Sequence, residues 1–376
     1  MGWRAMRVSA RGRSVDGLRA TLVFLVAVGC GATLVPRAQA APVEHVIHVS
    51  VDGLNAEMLR GLVERDSAGD YANFRRLLNE GASTFNARTD YSRSVTLPSH
   101  ATMITGRPAE KPAGQGGSVH HGYTNNRDPG TSDTLHNSGN RNLSYTASVF
   151  DRVHDNGLST ALYASKPKFA LFEQSYAAAH GAEDQTGADD GRDKIDTYVN
   201  MHTGSPLNAS NMHSDYLVEM ASSRFSYTFL CYADPDYAGH VTGWGSPAWN
   251  EAVAAVDGYL GDLFALIEAD LALSGKTAII LSSDHGGSGA RHTEASDPAN
   301  YTIPFFVWGP GVAAGADLYA LNSESRVDPR SARPDYTESG QPIRNGDSAN
   351  LALSLLGLEA VPGSTINAAQ DLVTAR

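Results

Sequence analysis

Residues 45–52 read His-Val-Ile-His-Val-Ser-Val-Asp. From Val46 to Val51 the run is apolar and β-branched, which predicts a strand that delivers one carboxylate, Asp52, at its carboxyl end. Two other stretches follow the same plan. A strand over Ser226–Tyr232 runs through Cys-Tyr-Ala-Asp-Pro to Asp236, and one over Thr277–Leu281 runs through Ser-Ser to Asp284. In an open α/β sheet, ligands bind beyond the carboxyl ends of the strands, so these three positions mark one rim. Further strands are predicted over Ser83–Ala87, Thr160–Ala164 and Ile303–Trp308. Helical periodicity falls over Ala56–Glu64, Ala72–Asn79, Ala147–His154, Ser214–Ser222, Ala248–Leu273 and Ser348–Leu356. This alternation predicts an α/β fold: a mostly parallel central sheet with helices on both faces. Residues 109–142 and 185–210 are rich in Gly, Asn, Ser and Asp and read as long surface loops or a small cap over the sheet. No internal repeat is evident, and residues 41–376 read as one catalytic domain with those insertions.

Residues 1–40 stand outside the pattern. Arg4, Arg7, Arg11, Arg13 and Arg19 precede the apolar run Ala20–Val35, and Ala38-Gln39-Ala40 follows it, which predicts a secretory signal peptide cleaved after Ala40. The run is slightly short of the ~18–20 residues of a spanning helix. An uncleaved anchor, or lipidation at Cys30, is the alternative. The expectation is therefore an exported protein, periplasmic or secreted, with no stable membrane anchor after cleavage. Cleavage removes six arginines and one aspartate, taking the formal charge from −12 to −17, and leaves Cys231 as the sole cysteine. No intrachain disulfide can then form, so stability must come from the core and from metal. With 41% hydrophobic residues the chain is not disordered, and its acidic balance excludes a basic nucleic-acid-binding surface. An acidic surface also repels anionic substrates, so phosphate chemistry here requires strong local positive charge.

A single aspartate after a strand is ordinarily a turn or helix cap. Three of them, two with histidine at short range, point instead to metal. In Asp236-Tyr-Ala-Gly-His240, Gly239 is expected to let the backbone turn so that both ligands converge from one loop. Asp284 is followed at once by His285, and His292 lies seven residues further on, across a glycine-rich span able to fold it back. Mixed carboxylate and imidazole donors suit Zn²⁺, with Mn²⁺ and Fe able to take the same set. The segment from Ser94 to Gly106 reads as a turn into a helix, with Pro98 in the first turn and Thr96 at the amino-terminal end, where backbone N–H groups favour an anion. Thr96 either caps that helix or acts as a nucleophile; in the second role its hydroxyl is inert at neutral pH without a metal.

Taken in order, Asp52-Gly53, the block Thr96-Leu-Pro-Ser-His-Ala-Thr-Met-Ile-Thr-Gly-Arg-Pro, Asp236-Tyr-Ala-Gly-His240 and Ser283-Asp284-His285-Gly286 resemble the alkaline phosphatase superfamily, most closely its type I phosphodiesterase/nucleotide pyrophosphatase group. The resemblance implies two divalent metal ions, Zn²⁺ foremost. One would be held by Asp52, Thr96, Asp284 and His285, the other by Asp236, His240 and His292. It also implies a phosphothreonine intermediate at Thr96. In His121-Gly122-Tyr-Thr-Asn125-Asn126, it implies a donor from Asn126 to the phosphoryl oxygen. The chain departs from the group at Ser99, usually asparagine, in a glycine-rich insertion between Gly106 and His120, and in the closeness of His292 to the Asp-His pair, which resembles phosphoethanolamine transferases and sulfatases. A sulfatase signature needs Cys or Ser where this chain has Thr96.

The resulting expectation is an exported two-metal phosphoric ester hydrolase acting on small-molecule phosphate esters or nucleotides, with phosphodiesters or nucleotide pyrophosphates first. Alternatives are a phosphomonoesterase, a phosphonate hydrolase, a phosphoethanolamine transferase and, from another class, a non-catalytic metal-binding exported protein. Lys166, Lys168, Phe169, Tyr176 and Tyr237 belong to loops whose side chains choose among them.

Overall fold

Eight strands form one sheet in the order β4-β3-β5-β1-β6-β7-β2-β8. They are β1 His45–Val51, β2 Ala82–Arg88, β3 Thr160–Ala164, β4 Thr197–Asn200, β5 Tyr227–Tyr232, β6 Thr277–Ser282, β7 Thr302–Trp308 and β8 Ala316–Asp317. The computed structural model describes residues 43–184, 191–202 and 208–375. The segment read as a signal peptide lies outside the described residues.

Strand β1 is buried along its whole length, because it sits at the centre of the sheet with helices on both sides. Val46 joins the apolar cluster that includes Leu97 and Ile104 of the Thr96–Thr105 helix, Val149 and Phe150 of the Val149–His154 helix, and Leu351 of the Asp347–Leu355 helix. Its neighbours Ile47, Val49 and Val51 face the opposite layer, built on Leu59, Phe74, Tyr216 and Trp249. The helices carrying those four residues are Ala56–Arg65, Ala72–Glu80, Ala209–Ser223 and Pro247–Ala269. The period-two alternation of a strand thus feeds two separate cores.

β1 pairs in parallel with β5, Val46 opposite Tyr227, and with β6, Val46 opposite Ala278. That register brings Asp52, the Asp234–Asp236 segment and Asp284 out at the same rim. β7 runs antiparallel to both β6 and β2. The connection from β6 to β7 carries the Asp284, His285 and His292 rim residues and only a single helical turn, Pro298–Tyr301, rather than a helix packed across the sheet face.

Two expectations need correction. Within 185–210, read as loop or cap, the chain forms edge strand β4, parallel to β3. Its four residues are only half-buried, too short a run for any periodicity to register. Residues 185–190 and 203–207 lie outside the described residues. β8, two residues long, also escaped notice. The 109–142 stretch is indeed largely irregular, with a single short helix at Leu135–Ser138, but it is sewn into the core: Tyr123 and Leu135 are fully buried, and His121 Nε2 lies 3.1 Å from Thr102 Oγ1.

Candidate active site

The rim positions become a site because each is fixed by its own local geometry. Asp52 leaves β1 with its N–H donating to the Tyr232 carbonyl at 2.9 Å. Gly53 follows at φ +74°, where a Cβ would come within 2.9 Å of the Asp236 Cα; only glycine permits that approach. Asp284, beyond β6, accepts at Oδ1 from the N–H groups of Gly53 (3.1 Å) and His285 (2.8 Å). All three aspartates are buried.

Asp236 and His240 do not come from a loop. They lie on a helix, Asp234–Thr242, one turn apart, so the i,i+4 spacing itself puts both on one face. Pro235 stands in the first turn, where the missing N–H costs nothing. Gly239 is needed for a different reason from the one expected: a Cβ there would lie 2.6 Å from the Trp244 ring. Trp244 Nε1 donates to the Gly53 carbonyl at 2.8 Å, and its ring meets His240 and His292 edge-on at 5.3 and 5.8 Å. Trp244 therefore binds the first and second acidic segments together, a role that the sequence alone does not signal.

The histidines converge. His285 and His292 stack with ring centroids 3.6 Å apart, and His292 Nε2 lies 3.1 Å from His240 Nε2. His292 is oriented through Nδ1, 2.9 Å from the Ser94 carbonyl, and His240 through Nδ1, 3.2 Å from that of Ala290. Asp236 Oδ1 lies 3.5, 3.7 and 3.9 Å from Nε2 of His240, His292 and His285. Asp52 Oδ1 and Asp284 Oδ2 lie 3.5 and 3.2 Å from Nε2 of His285. At this site, two groups among the described residues have ligand atoms close enough to share one ion: Asp236, His240 and His292; and Asp52, Asp236 and His285. Thus Asp236 belongs to both groups, and Asp284 stands beside His285 outside either.

Do these residues fit a metal? Asp52 Oδ1, Asp236 Oδ1, Asp284 Oδ2 and His285 Nε2 are buried and have no hydrogen-bond partner among the described residues. Leaving buried polar atoms unpaired costs about 1–3 kcal/mol each, more for charged groups, so four in one spot mark a place built for a cation. Burial and the neighbouring Asp236 push the Asp52 carboxyl up to about 6, and burial and Asp52 push Asp284 well above the usual carboxylate range. Burial also opposes ionisation of Asp236, but Lys166 and the three histidines outweigh it and hold this carboxyl low. Burial and the adjacent His292 keep His285 far below its ordinary value, hence neutral and able to ligate.

Thr96 is the first residue of the Thr96–Thr105 helix and is buried; the cap is Val95, and no side chain caps the end. Its carbonyl accepts from His100 Nδ1 at 2.8 Å, and His100 Nε2 lies 2.8 Å from Ser50 Oγ. His100, one helical turn from Thr96, thus ties the Thr96–Thr105 helix to β1; the i,i+4 spacing was its only sequence signal. Asn126 Oδ1 accepts from the Leu97 N–H at 3.0 Å, which sets the Asn126 amide at the head of this helix. Of the side chains expected in loops, Phe169 closes a short helical turn and Tyr176 ends the Ala170–Tyr176 helix, both buried in the core, while Tyr237 lies exposed on the Asp234–Thr242 helix. Lys168 donates to the Asn126 carbonyl, and Lys166 enters the site itself, with Nζ 3.3 Å from Thr96 Oγ1.

A mostly parallel sheet with acidic residues and histidines gathered beside a helix-borne threonine defines an alkaline-phosphatase-like hydrolase of phosphoric esters. The profile of the type I phosphodiesterase/nucleotide pyrophosphatase family matches residues 46–337. The chain belongs to that family of metal-dependent enzymes. Among solved structures it is similar to murine ectonucleotide pyrophosphatase/phosphodiesterase 5, in an inactive form in complex with AMP: 13% identity, 88% of this chain and 99% of that one covered, TM-score 0.54. The human protein of the same name gives 13% identity over 88% of this chain and 100% of that one, TM-score 0.52. BT1596, a 2-O GAG sulfatase, gives 10% identity over 89% of this chain and 75% of that one, TM-score 0.54. At these identities the likeness is one of fold. A search of curated proteins returned no match.

Proposed function

We propose that this enzyme is an exported hydrolase of phosphodiesters or nucleotide pyrophosphates that uses Thr96 as nucleophile, with two Zn²⁺ ions as its cofactors. The observation that carries the reading is the cluster of four unpartnered buried atoms beside a threonine at a helix amino terminus. One ion would be held by Asp236, His240 and His292, the other by Asp52 and His285 with Asp284 and Thr96 in support. When bound, such ions supply Lewis-acid charge that eases loss of the hydroxyl proton and departure of the leaving oxygen.

The chain's own residues do the rest. The Thr96 oxygen attacks phosphorus in line with the leaving oxygen; the bond to that oxygen breaks, the leaving group departs carrying a proton in place of the one lost from Thr96, and a phosphothreonine that still bears the second ester substituent remains. Water then displaces Thr96 from phosphorus, regenerating the hydroxyl and releasing a phosphate monoester that keeps the second substituent. At the first helical position, the oxygen sits in the partial positive field of the helix amino terminus, which favours it as an anion. Asn126, steadied through its Oδ1, turns its amide N–H toward a phosphoryl oxygen and strengthens that bond as negative charge develops. Burial of Thr96 keeps bulk water from competing with the substrate.

Export rests on residues 1–40. Among the described residues, no helix is long and apolar enough to cross a membrane. The deciding assay compares kcat/KM on bis-nitrophenyl phosphate, a nitrophenyl nucleotide diester, nitrophenyl phosphate and a phosphonate ester with Zn²⁺ supplied. A diester preference of about tenfold or more, about 1.4 kcal/mol in transition-state binding, supports the reading. Preference for the monoester overturns it.

A further inference from the structure

Two of the site carboxylates divide their oxygens in the same way. Asp52 and Asp236 each give Oδ2 to the Lys166 ammonium, at 2.6 and 2.7 Å. Each keeps Oδ1 buried and without a hydrogen-bond partner, and Oδ1 is the oxygen nearest the histidines. The ammonium lies between a carboxylate from each candidate metal group and is also 3.3 Å from Thr96 Oγ1. The lysine is aimed rather than loose. Its carbonyl accepts from Asn200 Nδ2 at 3.0 Å, on edge strand β4. The preceding Ser165 accepts from the Ala233 N–H at 3.0 Å, just after β5. Only 13% of the Lys166 side chain is exposed.

We propose that Lys166 is a permanent strap of this site. Its ammonium holds the outer oxygens of Asp52 and Asp236, so that each carboxylate offers one fixed oxygen to a dication, and it keeps a positive charge beside the Thr96 oxygen as that oxygen becomes anionic. The inference rests on the proposed two-metal reading and deepens it. Because ammonium and histidines address different oxygens of the same carboxylates, strap and metals do not compete. In an acidic protein, the ammonium also adds local positive charge where an anionic substrate must approach. The contrary role is a stand-in, an ammonium that neutralises the carboxylates only until metal arrives.

The two roles separate in a cycle of metal against side chain. Melting temperatures of the wild-type protein and Lys166→Met are measured with a chelator and with excess Zn²⁺, and turnover of a diester at saturating Zn²⁺ is followed in both. A strap lowers the melting temperature of Lys166→Met by several degrees in both states and lowers kcat roughly 10- to 100-fold with little change in KM. Lys166→Arg, which keeps the charge, recovers part of each loss. If zinc-loaded Lys166→Met melts and turns over like the wild type, the proposal is overturned. Should Lys166→Met not accumulate as folded protein, Lys166→Gln carries the same comparison. A wild-type protein that neither binds Zn²⁺ nor gains stability from it overturns the two-metal reading itself, a result distinct from equal holo stabilities.

Discussion

Single atoms decide most of what this site can do. Gly53 holds a left-handed conformation and has the Asp236 backbone against it, so Gly53→Ala meets both strain and a clash. The conformational cost alone is about 1–2 kcal/mol. The variant should melt several degrees lower and hold Zn²⁺ more weakly in a chelator titration; unchanged zinc affinity would show that the Asp52–Asp236 approach does not matter to binding. His292 meets His240 and Asp236 in one group. His292→Ala should lose metal from that group while keeping the fold, as read by elemental analysis and circular dichroism. Unchanged stoichiometry would transfer its role to another histidine, although His213 is already engaged with the Tyr232 hydroxyl at 2.7 Å. The residues that gather at the rim were legible because they follow strand ends in characteristic pairs. Lys166 was legible only as a loop residue, since nothing in Ser-Lys-Pro-Lys says that an edge strand will aim its ammonium at Asp52.

At the scale of elements, the Asp234–Thr242 helix shows where sequence reading fails. Its proline and glycine look like breakers, yet Pro235 occupies the first turn and Gly239 makes room for an aromatic ring that is distant in the helix's own pattern. Tertiary packing, not local propensity, makes this segment helical. Trp244→Ala should therefore act beyond its own volume. It removes the bond to the Gly53 carbonyl and the wall behind His240 and His292, at a stability cost of about 3–5 kcal/mol. Thermal melts and zinc titration check it: loss of both stability and zinc retention is expected, whereas loss of stability alone would confine Trp244 to packing. β4 was illegible for a simpler reason. Four half-buried residues carry no periodic signal, although the position of Lys166 depends on them.

For the whole molecule, the alternation of strands and helices was enough to give sheet and layers, because a doubly covered strand such as β1 is buried throughout and so is mostly apolar, with its few polar side chains paired inside. The antiparallel β7 was not foreseen, since the composition of a buried strand does not encode its direction. The two-sided core also encloses histidines that burial keeps neutral: His48 and His100 are pushed down to about 3, and His121 to about 4. The unfolded chain takes up these protons near pH 6.5, so it binds more protons than the folded state between there and pH 4. Stability therefore falls as pH drops below about 6.5, by up to about 1.4 kcal/mol per histidine per pH unit. In the metal-free protein the raised Asp52 and Asp284 carboxyls oppose this slope, so the check is a comparison of melts from pH 7.5 to 5 for wild type and His48→Gln. The variant should lose less stability on acidification, and an identical profile would mean that His48 is not buried neutral. The central claim, that rim residues from several strands turn the Thr96 hydroxyl into an attacking group, has one direct test. Acid quench during turnover of a diester, followed by mass spectrometry of the Thr96 peptide, should find the phosphoryl group with its remaining ester substituent on Thr96 in the wild type and neither adduct nor turnover in Thr96→Ala. Wild-type turnover in Thr96→Ala, or the phosphoryl adduct on another residue, would contradict it.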